Sequence, residues 1–239
     1  MWAKEADEAL VLSQTEKGEA DRVFTVFTRQ QGKLNLLAKG ERKILSKLRR
    51  GIDLFYLTRV TFVSTTVRNT LTDVDLINDF PVLRQDWRKF QVVSWLSRLV
   101  DFSFPSAIQE EEVFSLLRES WEDLEKTEKY FQRPYYYFLW QFFKILGYQP
   151  EILFSSSKHK IFVSGIEGMF SNQTRQAKNA CLIDPSSRSW LQLILRGEKK
   201  TFYRQPLSPA EEKNLKKISQ LYFSFLSLGR DGGTLGFRL

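Results

Sequence analysis

Residues 18–43, GEADRVFTVFTRQQGKLNLLAKGERK, constrain the fold of this chain more than any other stretch. Residues 22–28 and 33–39 both have strand composition, and Arg29, Gln30, Gln31 and Gly32 lie between them, with Gly supplying the positive φ that a tight turn needs. A hairpin follows. Side chains alternate across a sheet, so Leu34, Leu36 and Ala38 share one face while Lys33, Asn35 and Lys39 share the other, with Leu37 breaking the polar face. The hairpin runs straight into a basic segment that ends as ILSKLRR. From Arg29 to Arg50 eight cations stand against Glu41 alone, a local charge of +7 in a chain whose total is +8. Positive charge is concentrated here.

Three further strand-like runs surround the hairpin, at residues 8–13, 54–63 and 69–77, separated by Gly-rich or charged joints. Five strands in about 80 residues are too few for two full sheets and fit a small closed Greek-key barrel of the OB type. The helix often found between the third and fourth strands of such barrels is replaced here by residues 41–50. An SH3-like barrel remains the alternative on this pattern. The expected fold class is therefore α+β, with an OB-type barrel at residues 1–80 and a mainly helical domain at residues 81–239.

After Pro81 the apolar period changes from two to helical spacing. Leu83, Trp87, Phe90, Val93, Leu96 and Val100 mark one amphipathic helix, and Val113, Leu116, Leu117, Trp121 and Leu124 mark a second. A third, RPYYYFLWQFFKILG, places Pro134 at a first helical position, stops at Gly147 and is apolar nearly all round, as befits the centre of a bundle. Residues 151–207 give weaker signals and read as an irregular insertion, with a helix at residues 187–196. Ser208, Pro209 and Glu211 form a capping-box start, and Leu215, Ile218, Tyr222, Phe225 and Leu228 then share one helical face.

Catalysis finds no support in the residues. The one histidine, His159, lies in a Ser- and Lys-rich loop, and neither a nucleophile motif nor a glycine-rich phosphate loop occurs. Glu110, Glu111 and Glu112 stand where a helix begins, and the macrodipole favours carboxylates there without any metal. The expectation is a non-enzymatic protein with no cofactor and no metal. A single cysteine, Cys181, rules out an intramolecular disulfide, and the mixed charges of MWAKEADEAL do not make a signal peptide. No run of about 18 apolar residues occurs, which predicts a cytoplasmic chain.

Cations packed this densely repel one another, and a polyanion relieves that repulsion. Arg29, Lys33, Lys39, Arg42, Lys43, Lys47, Arg49 and Arg50 are accordingly the candidate nucleic-acid contacts. Phe24, Phe27, Phe55 and Tyr56 are available for base stacking, though most of them suit a core. In the aromatic helix, Arg133 and Lys144 flank Phe138 and Phe142, a set that suits a groove for an acidic, apolar peptide tail, or equally a buried core with two solvated ends.

The ordered features around the hairpin resemble the N-terminal signature of the bacterial recombination mediator RecO family: a first strand EALVLSQ, then Gly-Glu-x-Asp-Arg, a Thr-Arg-x-x-Gly-Lys turn and Ala-Lys-Gly-x-Arg-Lys. The similarity runs from Glu8 to about Arg88 and reappears in FLWQFFKILGYQP, covering about two thirds of the chain. It implies an ATP-independent protein of DNA repair, nucleoid-associated, that binds single- and double-stranded DNA and anneals complementary strands. It also implies contact with the acidic C-terminal tail of the single-stranded-DNA-binding protein, and work with RecR, often with RecF, to load RecA. Arg133, Phe138, Phe142 and Lys144 are the candidate tail contacts. RecO-like proteins commonly hold zinc through two Cys-x-x-Cys pairs after the Gly-Tyr-x-Pro segment. Here ILFSSSKHK follows that segment and only Cys181 remains, too few ligands for a tetrahedral site. An RNA-binding or ribosome-associated OB-fold protein and a non-catalytic structural adaptor are the competing readings.

Overall fold

The computed structural model describes residues 4–150, 161–164, 168–171 and 181–228. Strands β1 (Lys4–Lys17), β2 (Asp21–Thr28), β3 (Gly32–Ala38), β4 (Leu57–Ser64) and β5 (Asn69–Asn78) close into a barrel in the order β1-β2-β3-β5-β4. β1 pairs antiparallel with β4 through its first half and with β2 through its second, and the register shifts between Val11 and Ser13. A bulge bends a strand, and this one lets β1 serve both neighbours and shut the barrel. β3 and β5 meet in parallel at Leu36 and Asn69. That parallel contact, with β1 shared by β2 and β4, is the OB arrangement and decides against the SH3-like alternative.

The alternation within the hairpin is as expected. Leu34, Leu36 and Ala38 join Ala9, Val11, Phe24, Val26, Val60, Phe62 and Leu71 in the barrel core. Leu37, the residue that breaks the polar face, is itself buried. Part of the outer surface of the barrel is covered by helices: Phe27 lies 5.6 Å from Phe104, and Phe55 lies 5.4 Å from Phe90 and 5.8 Å from Trp121. Phe24, Phe27 and Phe55 are thus core rings, and Tyr56 lies under the Arg84 guanidinium at 4.7 Å.

The first helical run divides into α1 (Pro81–Gln85) and α2 (Trp87–Ser103). Asp86 between them is extended (φ −89°, ψ 110°) and its side chain accepts from the Arg88 N–H, so an N-cap interrupts what the apolar spacing reads as one helix. α3 (Glu111–Lys126) and α4 (Gln132–Ile145) follow, α4 beginning two residues before Pro134. Gly147 (φ +79°) ends α4, with Tyr148 N–H bonded to Phe143 O and Gly147 N–H to Lys144 O, the paired bonds of a Schellman stop.

Two compact units result, Met1–Phe138 and Leu139–Leu239. The second contains a small sheet, β6 (Ile161–Ser164), β7 (Gly168–Ser171) and β8 (Cys181–Ile183), in the order β7-β6-β8. It also contains α5 (Pro185–Leu195), α6 (Lys199–Arg204) and α7 (Pro209–Leu228). Sequence reading foresaw no sheet here, because strands of three or four residues are too short to show a period. Asp184 caps α5, and Glu211 accepts from both the N–H and the Oγ of Ser208, completing the expected capping box at α7. Trp140 stacks on Tyr222 at 5.1 Å and donates to Ser219 Oγ at 3.0 Å.

Candidate nucleic-acid interface

The segment between β3 and β4 is an ordered loop. Gly40 takes φ +64° and donates to Asp21 Oδ1, while the Arg42 N–H bonds to Ala20 O, so the loop starts fastened to the β1–β2 turn. Glu41 turns inward, where Arg22 Nη1 lies 3.3 Å from its nearly sealed carboxylate. A 3-10 turn at Leu48–Arg50 follows, with Leu48 packed on the barrel core and Ile52 inside it. Gly51 is required where it stands: a Cβ there would fall 2.5 Å from Val74 Cγ2.

Buried Glu41 and Ile52, with Leu48 packed on the core, thus hold the loop down, and the residues between them point out. Lys39, Arg42, Lys43, Lys47, Arg49 and Arg50 are all exposed. Arg42 is paired with Glu16 at 3.2 Å. The other five have no ion-pair partner among the described residues. Arg42 and Arg49 also border an open cleft of about 510 Å³, whose floor includes Glu41 and Ile52.

Arg29 and Lys33 belong to a different place. They sit at the start of β3, and six residues of strand, about 20 Å, separate Lys33 from Lys39. Asp7 Oδ2 accepts from the Gln30 and Gln31 N–H groups and locks the β2–β3 turn to β1. Arg29 meets Glu111 at 2.7 Å, and Lys33 Nζ meets both Asp101 Oδ1, at 3.0 Å, and the Asp101 carbonyl. Hydrogen bonding to Glu111, then that carboxylate's charge, holds the Arg29 guanidinium above its ordinary range. Glu8 adds contacts to Arg29, Arg59 and Arg118 at 3.6–3.9 Å. The structure therefore gathers six of the eight candidate cations and gives two to ion pairs with the helices.

Two features escaped the sequence reading. Arg68 is an exposed cation in the β4–β5 turn, which is closed by the Thr65 N–H bond to Arg68 O. The Arg22–Glu41 pair beneath the loop, with its carboxylate buried, was equally unforeseen, although Glu41 as the one acid in a basic run is the signal that points to it.

On α4, Phe138 and Phe142 are enclosed, at 0% and 1% exposure. Arg133 is buried with its guanidinium over the Tyr130 ring at 4.3 Å. Lys144 alone of that set is exposed, and its Nζ donates to Leu195 O at 2.9 Å. Cys181 is buried, with Sγ 3.6 Å from Asn214 Oδ1. His159 lies outside the described residues, and among those residues no group of three or more His, Cys, Asp or Glu is placed to hold a metal. No helix of the described residues is long and apolar enough to cross a membrane.

A five-stranded OB barrel with a basic loop in place of the usual helix, followed by helices, is the arrangement on which comparison with known families bears. The family profile described as "Recombination protein O N terminal" matches residues 1–80, and "Recombination protein O C terminal" matches residues 84–230. The chain belongs to the RecO family. Its relatives include the DNA repair protein RecO of Heliobacterium modesticaldum, 34% identical over 114 residues, 48% of this chain and 41% of the relative. Those of Thermodesulfovibrio yellowstonii and Geobacter metallireducens are 30% and 29% identical, over 60% and 59% of this chain and 58% of each relative. The chain thus spans about half the length of the curated relatives it matches. Within this RecO-family chain, the N-terminal profile takes in the whole barrel and its loop, and the C-terminal profile takes in every described helix from Arg84 onward.

Proposed function

We propose that this chain is a non-catalytic DNA-binding recombination mediator, and that Lys39, Arg42, Lys43, Lys47, Arg49 and Arg50 carry the DNA backbone across the barrel. The observation that supports this reading is the exposed basic loop, anchored from below and holding five cations without an ion-pair partner among the described residues. Cations fixed in this way neutralise several phosphates of one strand and release their counterions, a sequence-independent mode suited to a protein that acts wherever DNA is damaged. Arg29 and Lys33 serve the barrel's attachment to α2 and α3 in this reading.

The test is the salt dependence of binding. On duplex DNA the slope of log affinity against log salt falls by about 0.9 for each phosphate contact removed. Replacing Lys43, Lys47 and Arg50 by Ala is expected to reduce it by about 3. An unchanged slope in a folded variant would take the loop out of the DNA path.

Beyond binding, the proposed activity is annealing of complementary single strands without ATP, with RecR and RecF as co-workers in loading RecA. The acidic C-terminal tail of the single-stranded-DNA-binding protein is the proposed peptide partner, with exposed Lys144 as a contact. Strand annealing measured in the presence of that protein is the corresponding assay, and failure to anneal coated strands would reduce the function to DNA binding alone.

A further inference from the structure

The tip of the basic loop is aliphatic. The Ser46 N–H bonds to Lys43 O at 3.0 Å, so Ile44 and Leu45 occupy the two central positions of a hydrogen-bonded turn. They are 87% and 94% exposed, the latter the most exposed large apolar residue described. Such positions ordinarily hold Gly, Pro, Asn, Asp or Ser, which suit turn geometry and water. Single exposed apolar residues are common on protein surfaces and carry no message. Two adjacent ones at the apex of a turn, with Arg42 and Lys43 immediately before and Lys47, Arg49 and Arg50 shortly after, are a different arrangement.

The turn is also held firmly. Bonds from Gly40 to Asp21 and from Arg42 to Ala20 fix one side, and Leu48 and Ile52 fix the other against the barrel core. An apolar tip on a fixed stem, ringed by cations, meets a polyanion with its cations on the phosphates and its tip toward what lies between them. In DNA that is the base stack. Proteins that kink or open DNA insert Leu, Ile or similar side chains between base steps in this way.

We propose that Ile44 and Leu45 form a wedge that inserts between adjacent bases of bound duplex DNA and unstacks that step. The inference rests on the loop being the DNA site and adds what the loop does there. A wedge accounts for two large apolar side chains left almost wholly in solvent at the apex of the loop. Charge complementarity selects nucleic acid as the occupant. An anionic lipid surface shares that charge, but two residues offer far less apolar area than the amphipathic helices that lie in membranes.

The experiment compares the full chain with a double variant, Ile44→Ser with Leu45→Ser, on duplex oligonucleotides carrying one 2-aminopurine at successive positions. Both side chains are exposed, so the variant is expected to keep the parent melting temperature. The parent chain should raise 2-aminopurine fluorescence several-fold at interior positions whatever the neighbouring sequence, as a sequence-independent contact requires, and the variant should lose that rise while keeping the parent salt slope. Binding by the parent with no rise at any position, or a rise that survives both substitutions, overturns the wedge and leaves the DNA site standing. Absence of duplex binding by the parent overturns the wedge, and absence of binding to single strands as well overturns the DNA site. Binding to vesicles of phosphatidylserine and phosphatidylcholine that both substitutions abolish, without any DNA unstacking, overturns the wedge in favour of a lipid contact.

Discussion

Arg29 and Glu111 stand 82 positions apart in the chain and meet at 2.7 Å, with a second bond of 2.8 Å from Nε. The pair joins the β2–β3 turn to the first turn of α3, where the helix macrodipole already favours the Glu111 carboxylate. Both partners are about half exposed, so the pair contributes little stability by itself. Its neighbours fix the position: the Ala107 N–H bonds to Lys33 O, and Gly32 lies against Ile108 so closely that a Cβ would fall 1.9 Å from its carbonyl oxygen. The hairpin, whose charge alone points to DNA, is at this end the barrel's attachment to the helices.

Gly32 and Gly18 allow that attachment to be measured. Both have positive φ, +69° and +64°, but nothing lies within 4 Å of a Cβ at Gly18. Gly18→Ala is expected to cost about 1 kcal/mol of backbone strain. Gly32→Ala adds the clash with Ile108 and should cost about 1–3 kcal/mol more in denaturant unfolding. Equal losses at the two sites would show that the hairpin is not held against Ile108.

A second expectation separates the two groups of cations. Arg29 and Lys33 are already neutralised by Glu111 and Asp101, whereas Lys43 and Lys47 are not. Single Ala substitutions at Lys43 or Lys47 should each lower the salt slope of DNA binding by about 0.9, and those at Arg29 or Lys33 by much less. A full loss at Arg29 would return the β2–β3 turn to the DNA path.

Where the local pattern determined the outcome, the sequence was readable. The period of two in residues 33–39 named the core side chains Leu34, Leu36 and Ala38, and Ser208 with Glu211 named the start of α7. Charge density located the loop because it is local. What the sequence did not show depends on partners far away in the chain. Lys33 and Lys39 look alike in a list of residues and differ only because Asp101 stands beside one of them. Phe27 and Phe55 could be stacking platforms until Phe104 and Trp121 are placed on them. The break at Asp86 is invisible to apolar spacing, which continues across it unchanged.

Asp184 supplies a pH test within the second unit. Partial burial pushes its pKa up, but hydrogen bonds from the Ser187 N–H and Oγ and from Asn214 outweigh this and hold it below the ordinary aspartate range. A carboxylate with a lowered folded-state pKa contributes stability above its unfolded value, and loses it as pH falls through the folded value. Wild-type stability should therefore decline below about pH 4, and Asp184→Asn should remove that part of the decline. Asp184→Ala should also cost about 1 kcal/mol at neutral pH through loss of the N-cap. An acid limb identical in wild type and Asp184→Asn would mean that other carboxylates carry it.

Phe142 is enclosed, so Phe142→Ala should cost about 3–5 kcal/mol of stability, as deletion of a core ring does. Arg133 is buried over Tyr130, so reversing its charge disrupts the fold before it reports on any peptide. Lys144 is the informative position because it is exposed and bonds only to the Leu195 carbonyl among the described residues. Lys144→Glu should leave stability within about 0.5 kcal/mol of wild type. It should weaken binding of a labelled acidic tail peptide at least tenfold, about 1.4 kcal/mol, because a carboxylate then faces the peptide's own acids. Unchanged peptide affinity would move the contact away from Lys144, and a stable Phe142→Ala protein that no longer binds peptide would place that ring in an open pocket after all.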